Sequence, residues 1–304
     1  MEKTKRKSKL NTGDLIFYCC MLAFPVLQFV LFYIATKSNA ILFAFQGFDI
    51  VTGRATWTVE YVVKAFNLIV SDSAMLSTLK MSFLSYAIVT FIGTPLGLLF
   101  SFYISKKMPG HGLFRVLLFL PSIISAIVLV VIFQYFVDRA IPSFVSMVFG
   151  TQMKGLLENV DTRYWTVMFY NLWIGFGVSV LMYSDAISAI TPDVVEASHI
   201  DGVNALQEFW YITLPGVFPT LTTFMVTSVA GIFTNQFNLF TFYGGNAPEG
   251  LITYGYYFFN KTQSAQSIAE YPLLSAMGLW ITLVCVPLTF LVKWAMEKFG
   301  PKED

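Results

Sequence analysis

The sequence predicts an all-α membrane protein with six transmembrane helices and both termini on the cytoplasmic side. Three observations lead there. The first is composition: 56% of the 304 residues are hydrophobic and only 12% charged, with a mean hydropathy of +0.66. Soluble domains carry about 25% charged residues. So little charge cannot coat a water-facing surface, which excludes a soluble enzyme, a disordered chain and a fibrous one. The second is length. A hydrocarbon core about 30 Å thick needs about 20 apolar helical residues, and six stretches free of Asp, Glu, Lys and Arg supply them. The third is the placement of Lys and Arg, which collect in short loops that six crossings put on one side.

The spans fall at residues 15–36, 81–105, 116–137, 164–184, 216–243 and 271–292. The apolar stretch containing the fifth begins at Phe209 and is too long for one crossing, so its first residues go to the preceding loop. The first span exceeds the roughly 7–15 apolar residues at the centre of a secretory signal and reads as a retained helix. Orientation follows from Lys3, Lys5, Arg6, Lys7 and Lys9 in the arm, Lys106, Lys107 and Arg115 between the second and third spans, and Lys293, Lys298 and Lys302 behind the last. The same topology puts the loop 185–214 inside, although it has no Lys or Arg. The external segments, about 37–80, 138–163 and 244–270, are too short for a sizeable soluble domain. Residues 14–304 therefore read as one membrane domain behind a basic arm, 1–13.

Several kinds of chemistry are missing. A net charge of +1 gives no field for nucleic acid. Cys19, Cys20 and Cys285 are too few for a disulfide framework and lie in apolar runs. There is no Gly-Lys pair, hence no P-loop and no ATP site of that kind on this chain. His111 and His199 have no partners at metal-ligand spacing, and no nucleophile–His–acid set is recognisable. No cofactor or metal is expected on the chain.

No ionisable side chain sits mid-span. Such groups are costly and are kept for proton relays and ion paths, so a proton-coupled carrier is disfavoured; sodium coupling through backbone carbonyls stays open. The spans do hold Gln134, Tyr170, Asn171, Trp173, Asn235, Gln236 and Asn238. Amides beside aromatic faces suit a neutral, hydroxyl-rich solute such as a sugar. Interhelical hydrogen bonding and interface belts use the same residue types, so both readings stand.

The loop 185–214 is dense in helix signals. Thr191 can cap, Pro192 suits the first helical position and Asp193 complements the positive helix end. A short helix then runs through Glu196 and Ala197 to about Ile200, and Gly202 can take the left-handed conformation that stops it. Asn204 with Gln207 forms a second capping signal, opening a helix that presents Leu206, Phe209, Trp210 and Ile212. The result is a compact knob carrying Asp193, Glu196, Asp201 and Glu208 with no basic residue but the histidine, which suits a basic partner surface; an ordinary folded loop is the alternative.

Glu196-Ala197-Ser198, then Asp201-Gly202, then Ile212-Thr213-Leu214-Pro215 resemble the EAA signature of permease subunits in binding-protein-dependent ABC importers. Ser198 stands where the pattern has Ala, a small residue for a small one. Phe114-Arg115 with Leu120-Pro121, and Phe237-Asn238-Leu239 leading to Gly245 and Pro248, are similar to the carbohydrate-uptake (maltose and multiple-sugar) branch. In the second of these, Asn238 replaces an acid. The resemblance implies a type I ABC importer transmembrane domain in a prokaryotic cytoplasmic (inner) membrane, forming half of a path for a sugar or oligosaccharide. It implies as partners a second homologous permease, two ATPase subunits or an ATPase homodimer holding ATP and Mg, an extracytoplasmic solute-binding protein, and membrane lipid. It implies that Glu196, Ala197, Ser198, Asp201, Gly202, Leu214 and Pro215 belong to an ATPase-coupling loop. By position it places solute contacts at Asn171, Ile174 and Gly175, with Asn235, Gln236 and Asn238 as amide-bearing candidates; stacking chemistry adds Trp173. A permease for another neutral or zwitterionic solute, a secondary transporter or channel, and a membrane enzyme are the competing readings.

Overall fold

The computed structural model describes residues 12–48 and 55–301. Lys3, Lys5, Arg6, Lys7, Lys9 and Lys302, which carry part of the orientation argument, lie outside the described residues. The described chain is mainly helical, with one two-stranded hairpin. It divides into two compact units, Met1–Phe66 with Ala265–Leu279, and Asn67–Ser264 with Trp280–Asp304. Five helices are long and apolar enough to cross a membrane, and one bent pair gives a sixth if it counts as a single span.

In the first unit, helix α1 (Leu15–Ala44) has no buried residue across its spanning window. A helix apolar on every side suits lipid as its surroundings. It runs past the expected end at residue 36 because nothing there stops it: no Gly or Pro occurs between residue 36 and Gly47. Lys37 stays helical by laying its stem along the helix, its Nζ 5.9 Å from the centre of the Tyr33 ring. Strands β1 (Gln46–Phe48) and β2 (Ala55–Trp57) then pair antiparallel, Gln46 opposite Trp57. Helix α2 (Glu60–Ser71) leads from this unit into the second.

The second unit is built on α3 (Ser73–Ser105) and α6 (Val160–Ser188), which share its most extensive helix–helix contact. Asp72 caps α3, accepting from the Ala74 N–H at 2.9 Å. Gly93, Gly97 and Ser101 recur every four residues and form a stripe that lets α6 approach closely. A Cβ at Gly93 would lie 3.3 Å from Leu172, and one at Gly97 3.5 Å from Ser179. The Ser101 hydroxyl donates across the seam to the Val180 carbonyl at 2.9 Å.

The expected third span, 116–137, is not one helix. It divides into α4 (His111–Ile123) and α5 (Ala126–Phe149), separated by extended backbone at Ile124 (ψ 143°) and Ser125 (ψ 131°). Pro121 has no N–H for the Leu117 carbonyl, and the Ser122 hydroxyl bonds the Phe119 carbonyl at 2.7 Å, so the last turn of α4 is weakened. Helix α5 continues beyond the charged pair Asp138-Arg139 through a π-helical stretch, Phe136–Ala140. Asp138 is tolerated because its carboxylate turns into the following loop and accepts the Leu157 N–H at 2.9 Å.

Helix α7 (Pro192–Ile200) and helix α8 (Ala205–Gly216) form the knob, and α9 (Phe218–Ala230) leaves α8 at 65°. The expected continuous fifth span, 216–243, is interrupted as well. Helix α9 ends at Ala230, residues 231–238 run as turns, and α10 (Leu239–Tyr243) resumes. Helices α11 (Tyr254–Ser264) and α12 (Tyr271–Phe299) complete the chain. Two apolar clusters organise this unit, one around Phe133, Tyr170, Leu239 and Phe242, the other around Leu98, Phe102, Tyr183, Phe209 and Val217.

Helix α6 crosses α4 at Gly177, where a Cβ would sit 1.9 Å from the Leu118 carbonyl oxygen, whereas at Gly175 nothing lies within 4 Å. Gly177→Ala is therefore expected to destabilise the protein by about 1–3 kcal/mol through forced backbone movement. Gly175→Ala should be neutral or stabilising by up to about 1 kcal/mol, since alanine is the better helix former. Thermal unfolding of both variants in detergent checks this, and equal effects would contradict it.

Candidate functional site

Two regions collect the predicted residues. The first is the non-helical segment 231–238, whose backbone groups have left the helix ladder and need other partners. Asn171 on α6 supplies them. Its Nδ2 donates to the Val167 carbonyl at 2.8 Å and to the Phe237 carbonyl at 2.9 Å, while its Oδ1 accepts from Asn238 Nδ2 at 2.8 Å. Asn235 closes a local turn, its Oδ1 accepting the Phe237 N–H at 2.8 Å. Phe237 and Asn238 have φ of 49° and 58°, a conformation that asparagine tolerates better than most residues.

Helix α11 seals the segment from the other side. The Thr253 hydroxyl donates to the Asn235 carbonyl at 3.3 Å. At Gly255 a Cβ would lie 2.6 Å from the carbonyl oxygens of Thr234 and Asn235, so a residue without one is needed there. Gln134 on α5 donates to the Phe242 carbonyl at 2.9 Å. The Gln236 Oε1 is buried without a hydrogen-bond partner.

The predicted solute-contact residues thus divide. Asn171 and Asn238 bond each other, and Asn235 bonds only its own turn and the Thr253 hydroxyl. Trp173 packs with Phe133 and Tyr170, ring centres 6.3 Å apart in each case. Ile174 lies against the same cluster. Asn171 and Gly175 also line a cavity of about 140 Å³ between α3, α6 and α9. Its other polar walls are Thr90, Thr94, Ser179 and Ser228, hydroxyls that were not singled out from the sequence although Thr90, Thr94 and Ser101 share the face of the glycine stripe. Small-molecule sites usually enclose about 300–1,000 Å³, so this cavity is too small to enclose a sugar by itself.

The second region is the knob, which forms as its local signals dictate. Helix α7 starts at Pro192, Gly202 turns at φ 76°, and Asn204 and Gln207 make a reciprocal capping box with bonds of 2.9 and 3.0 Å. Thr191 occupies the capping position, but its side chain makes no capping bond. Asp193, Glu196, Ala197, Asp201 and Gly202 are exposed, whereas Ser198 is buried and donates to the Val195 carbonyl at 2.7 Å. Leu214 and Pro215 are half-buried inside α8, which bends only after them, at Val217. Ile200, Leu206, Trp210 and Tyr211 are all exposed on the chain. Phe209, expected on the presented face, is instead buried, in edge contact with Phe102.

One acid of the knob departs from expectation. Glu208 is 3% exposed and turned inward, where it pairs with Lys106 and lies 3.1 Å from His199. The outward anionic surface therefore rests on Asp193, Glu196 and Asp201. Lys106 belongs to the loop after α3, a hundred residues away in the chain, so no local pattern signals the pairing.

Comparison with known proteins places this geometry. Residues 93–303 match the family described as binding-protein-dependent transport system inner membrane component. The probable ABC transporter permease protein YesP of Bacillus subtilis is 25% identical over 97% of this chain and 94% of its own length. The arabinooligosaccharides transport system permease protein AraP of the same organism is 23% identical over 88% and 84%, and the multiple sugar-binding transport system permease protein MsmF of Streptococcus mutans 23% over 77% and 81%. Among solved structures, a chain of a bacterial ABC transporter involved in the import of the acidic polysaccharide alginate superposes with a TM-score of 0.79. It shares 18% identity and covers 95% of this chain and 97% of its own.

Asn171→Ala should leave the Phe237 carbonyl and the Asn238 amide without their partner, costing about 1–3 kcal/mol. Raised protease or hydrogen-exchange susceptibility confined to 231–243 would accompany the lowered melting temperature. An unchanged melting temperature would show that the segment does not depend on this side chain.

Proposed function

The chain belongs to the family of binding-protein-dependent transport system inner membrane components, a multi-pass membrane protein and a transport subunit, and from that premise we propose that it forms half of the path of an ATP-driven sugar importer. It crosses the membrane six times, through α1, α3, α5, α6, the run from α9 to α10, and α12. Both termini lie in the cytoplasm, with Lys106, Lys107, Arg115, Lys293 and Lys298 on that side. The sugar assignment draws on the named relatives, whose solutes are arabinooligosaccharides and multiple sugars, and on the cavity between α3, α6 and α9, whose mainly apolar walls carry several hydroxyls and the Asn171 amide. A second permease of the same kind completes the path. A solute-binding protein delivers the solute outside, and ATP is hydrolysed with Mg on separate ATPase subunits.

The observation that carries the reading is the knob. A helix closed by a left-handed glycine, followed by a capped second helix, is a stiff projection and not a flexible connector. It presents Glu196 and two further carboxylates beside Ile200, Leu206, Trp210 and Tyr211. Exposed apolar side chains on the same projection as exposed carboxylates suit a protein partner. The ATPase supplies that partner: its basic groups meet Glu196, and its groove takes the apolar residues. Ala197 lets the surfaces approach and Gly202 shapes the corner. Because Asn171 and Asn238 bond each other, the solute meets the chain through the hydroxyl wall first, with Asn171 reached at its edge.

Glu196→Ala should leave the fold intact, since the side chain is exposed. It is expected to reduce solute uptake by the reconstituted complex at least tenfold and to abolish stimulation of ATP hydrolysis by the binding protein. Normal uptake with unchanged stimulation would remove the coupling role from this residue.

A further inference from the structure

We propose that Glu208 is a buried positioning residue that clamps the knob to the cytoplasmic end of α3, so that movement of the knob is carried into that helix. The proposal rests on the coupling role argued above for the knob. Both carboxylate oxygens are engaged: Oε1 pairs with Lys106 Nζ, and Oε2 lies 3.1 Å from His199 Nε2. Lys106 is the residue immediately after α3, His199 stands in the last turn of α7, and Glu208 lies in the first turns of α8. A single side chain therefore ties three elements together. The knob has no Lys or Arg of its own, so its one inward acid takes its strong cation from the loop after α3.

The surroundings indicate what the pair adds. Beside it, Phe102 of α3 meets Phe209 of α8 edge-on, ring centres 5.4 Å apart, and the Lys106 ammonium lies 5.6 Å from the centre of the Phe102 ring. That aromatic contact already holds the two helices together. A buried ion pair seldom adds stability over apolar packing of equal volume, because both charges lose their water; its best-attested gain is one fixed register. Aromatic rings slide over one another at little cost, whereas a carboxylate held by two cationic or donor groups does not. The charges of the knob are divided accordingly, with Asp193, Glu196 and Asp201 facing outward and Glu208 facing its own chain.

The test uses Glu208→Gln, Lys106→Met and His199→Gln singly. A charge swap, Lys106→Glu with Glu208→Lys, is made in the His199→Gln background so that the new lysine meets no second cation. Hydrogen exchange of the purified chain reads the clamp without any ATPase, and solute moved per ATP in proteoliposomes of the full complex reads its part in coupling. Glu208→Gln is expected to speed exchange across 192–208 at least tenfold while leaving α6 unchanged. It should lower solute moved per ATP at least fivefold with ATP turnover retained, and the swap should return both values to those of His199→Gln. Unaltered exchange in Glu208→Gln and Lys106→Met would overturn the clamp. Faster exchange with normal transport per ATP would overturn its role in coupling, and a swap that restores neither would overturn charge pairing as its basis. If the wild-type chain transports without an ATPase, the proposed function fails, and the exchange result still decides the clamp. Should Glu208→Gln fail to assemble, Lys106→Met, which leaves the carboxylate facing His199 alone, is read in its place.

Discussion

The three hydrogen bonds of Asn171 hold in place the most unusual part of this chain. A membrane protein can interrupt a helix only where the freed backbone groups find partners within the protein. Here one amide, set on the long α6, donates to the Phe237 carbonyl and accepts from the Asn238 amide. That allows α9 to stop at Ala230 and α10 to restart at Leu239 with the backbone between them braced by α6 and approached closely by α11. An apolar residue at position 171 would leave the Phe237 carbonyl and the Asn238 amide without the partner they have here.

Helix α6 links this segment to the knob. Asn171 lies on it, and so does Tyr183, twelve residues further along or about 18 Å at 1.5 Å per residue. Tyr183 sits in the cluster that also takes Phe102, Phe209 and Val217. Helix α3 runs beside α6 along the stripe of Gly93, Gly97 and Ser101, close enough for a side-chain-to-backbone bond across the seam. Interiors packed this tightly transmit displacement instead of absorbing it. The polar wall of the cavity and the apolar root of the knob are thus fixed to the same two helices.

Much of this was legible in the residues. The knob followed from Pro192, Gly202, Asn204 and Gln207, each of which acts on the backbone within four residues of itself. The apolar helices followed from hydropathy over windows longer than any single contact. What escaped were features decided by distant partners. Pro121 and Ser122 weaken the end of α4 and Gly231 opens the stretch 231–238, but the shapes that follow also need Gly177, Asn171 and Gly255, which lie outside those segments. The extension of α1 to Ala44 was hidden by Lys37, a charge read as a boundary although its long stem can follow the helix. Glu208 looked like a surface acid because its cation lies in another loop. Of the amides foreseen as solute contacts, Asn171 and Asn238 bond each other, Asn235 bonds its own turn, and the Gln236 oxygen has no partner. Composition can place such residues, but it cannot assign their hydrogen bonds.

The bend at Val217 has a mechanical consequence. With α8 and α9 meeting at 65°, the two helices form a crank, with α9 as the shaft and α8 as the arm. Twelve residues at 1.5 Å each make an arm about 18 Å long, of which about 16 Å stands perpendicular to the shaft. By that geometry, turning the shaft by about 10° sweeps the tip near Ala205 through about 3 Å, and pushing the tip by the same distance turns the shaft as far. A straight helix in the same place would convert a sideways push into tilt. The cranked one converts it into torque, delivered at the end where α9 gives way to the segment held by Asn171.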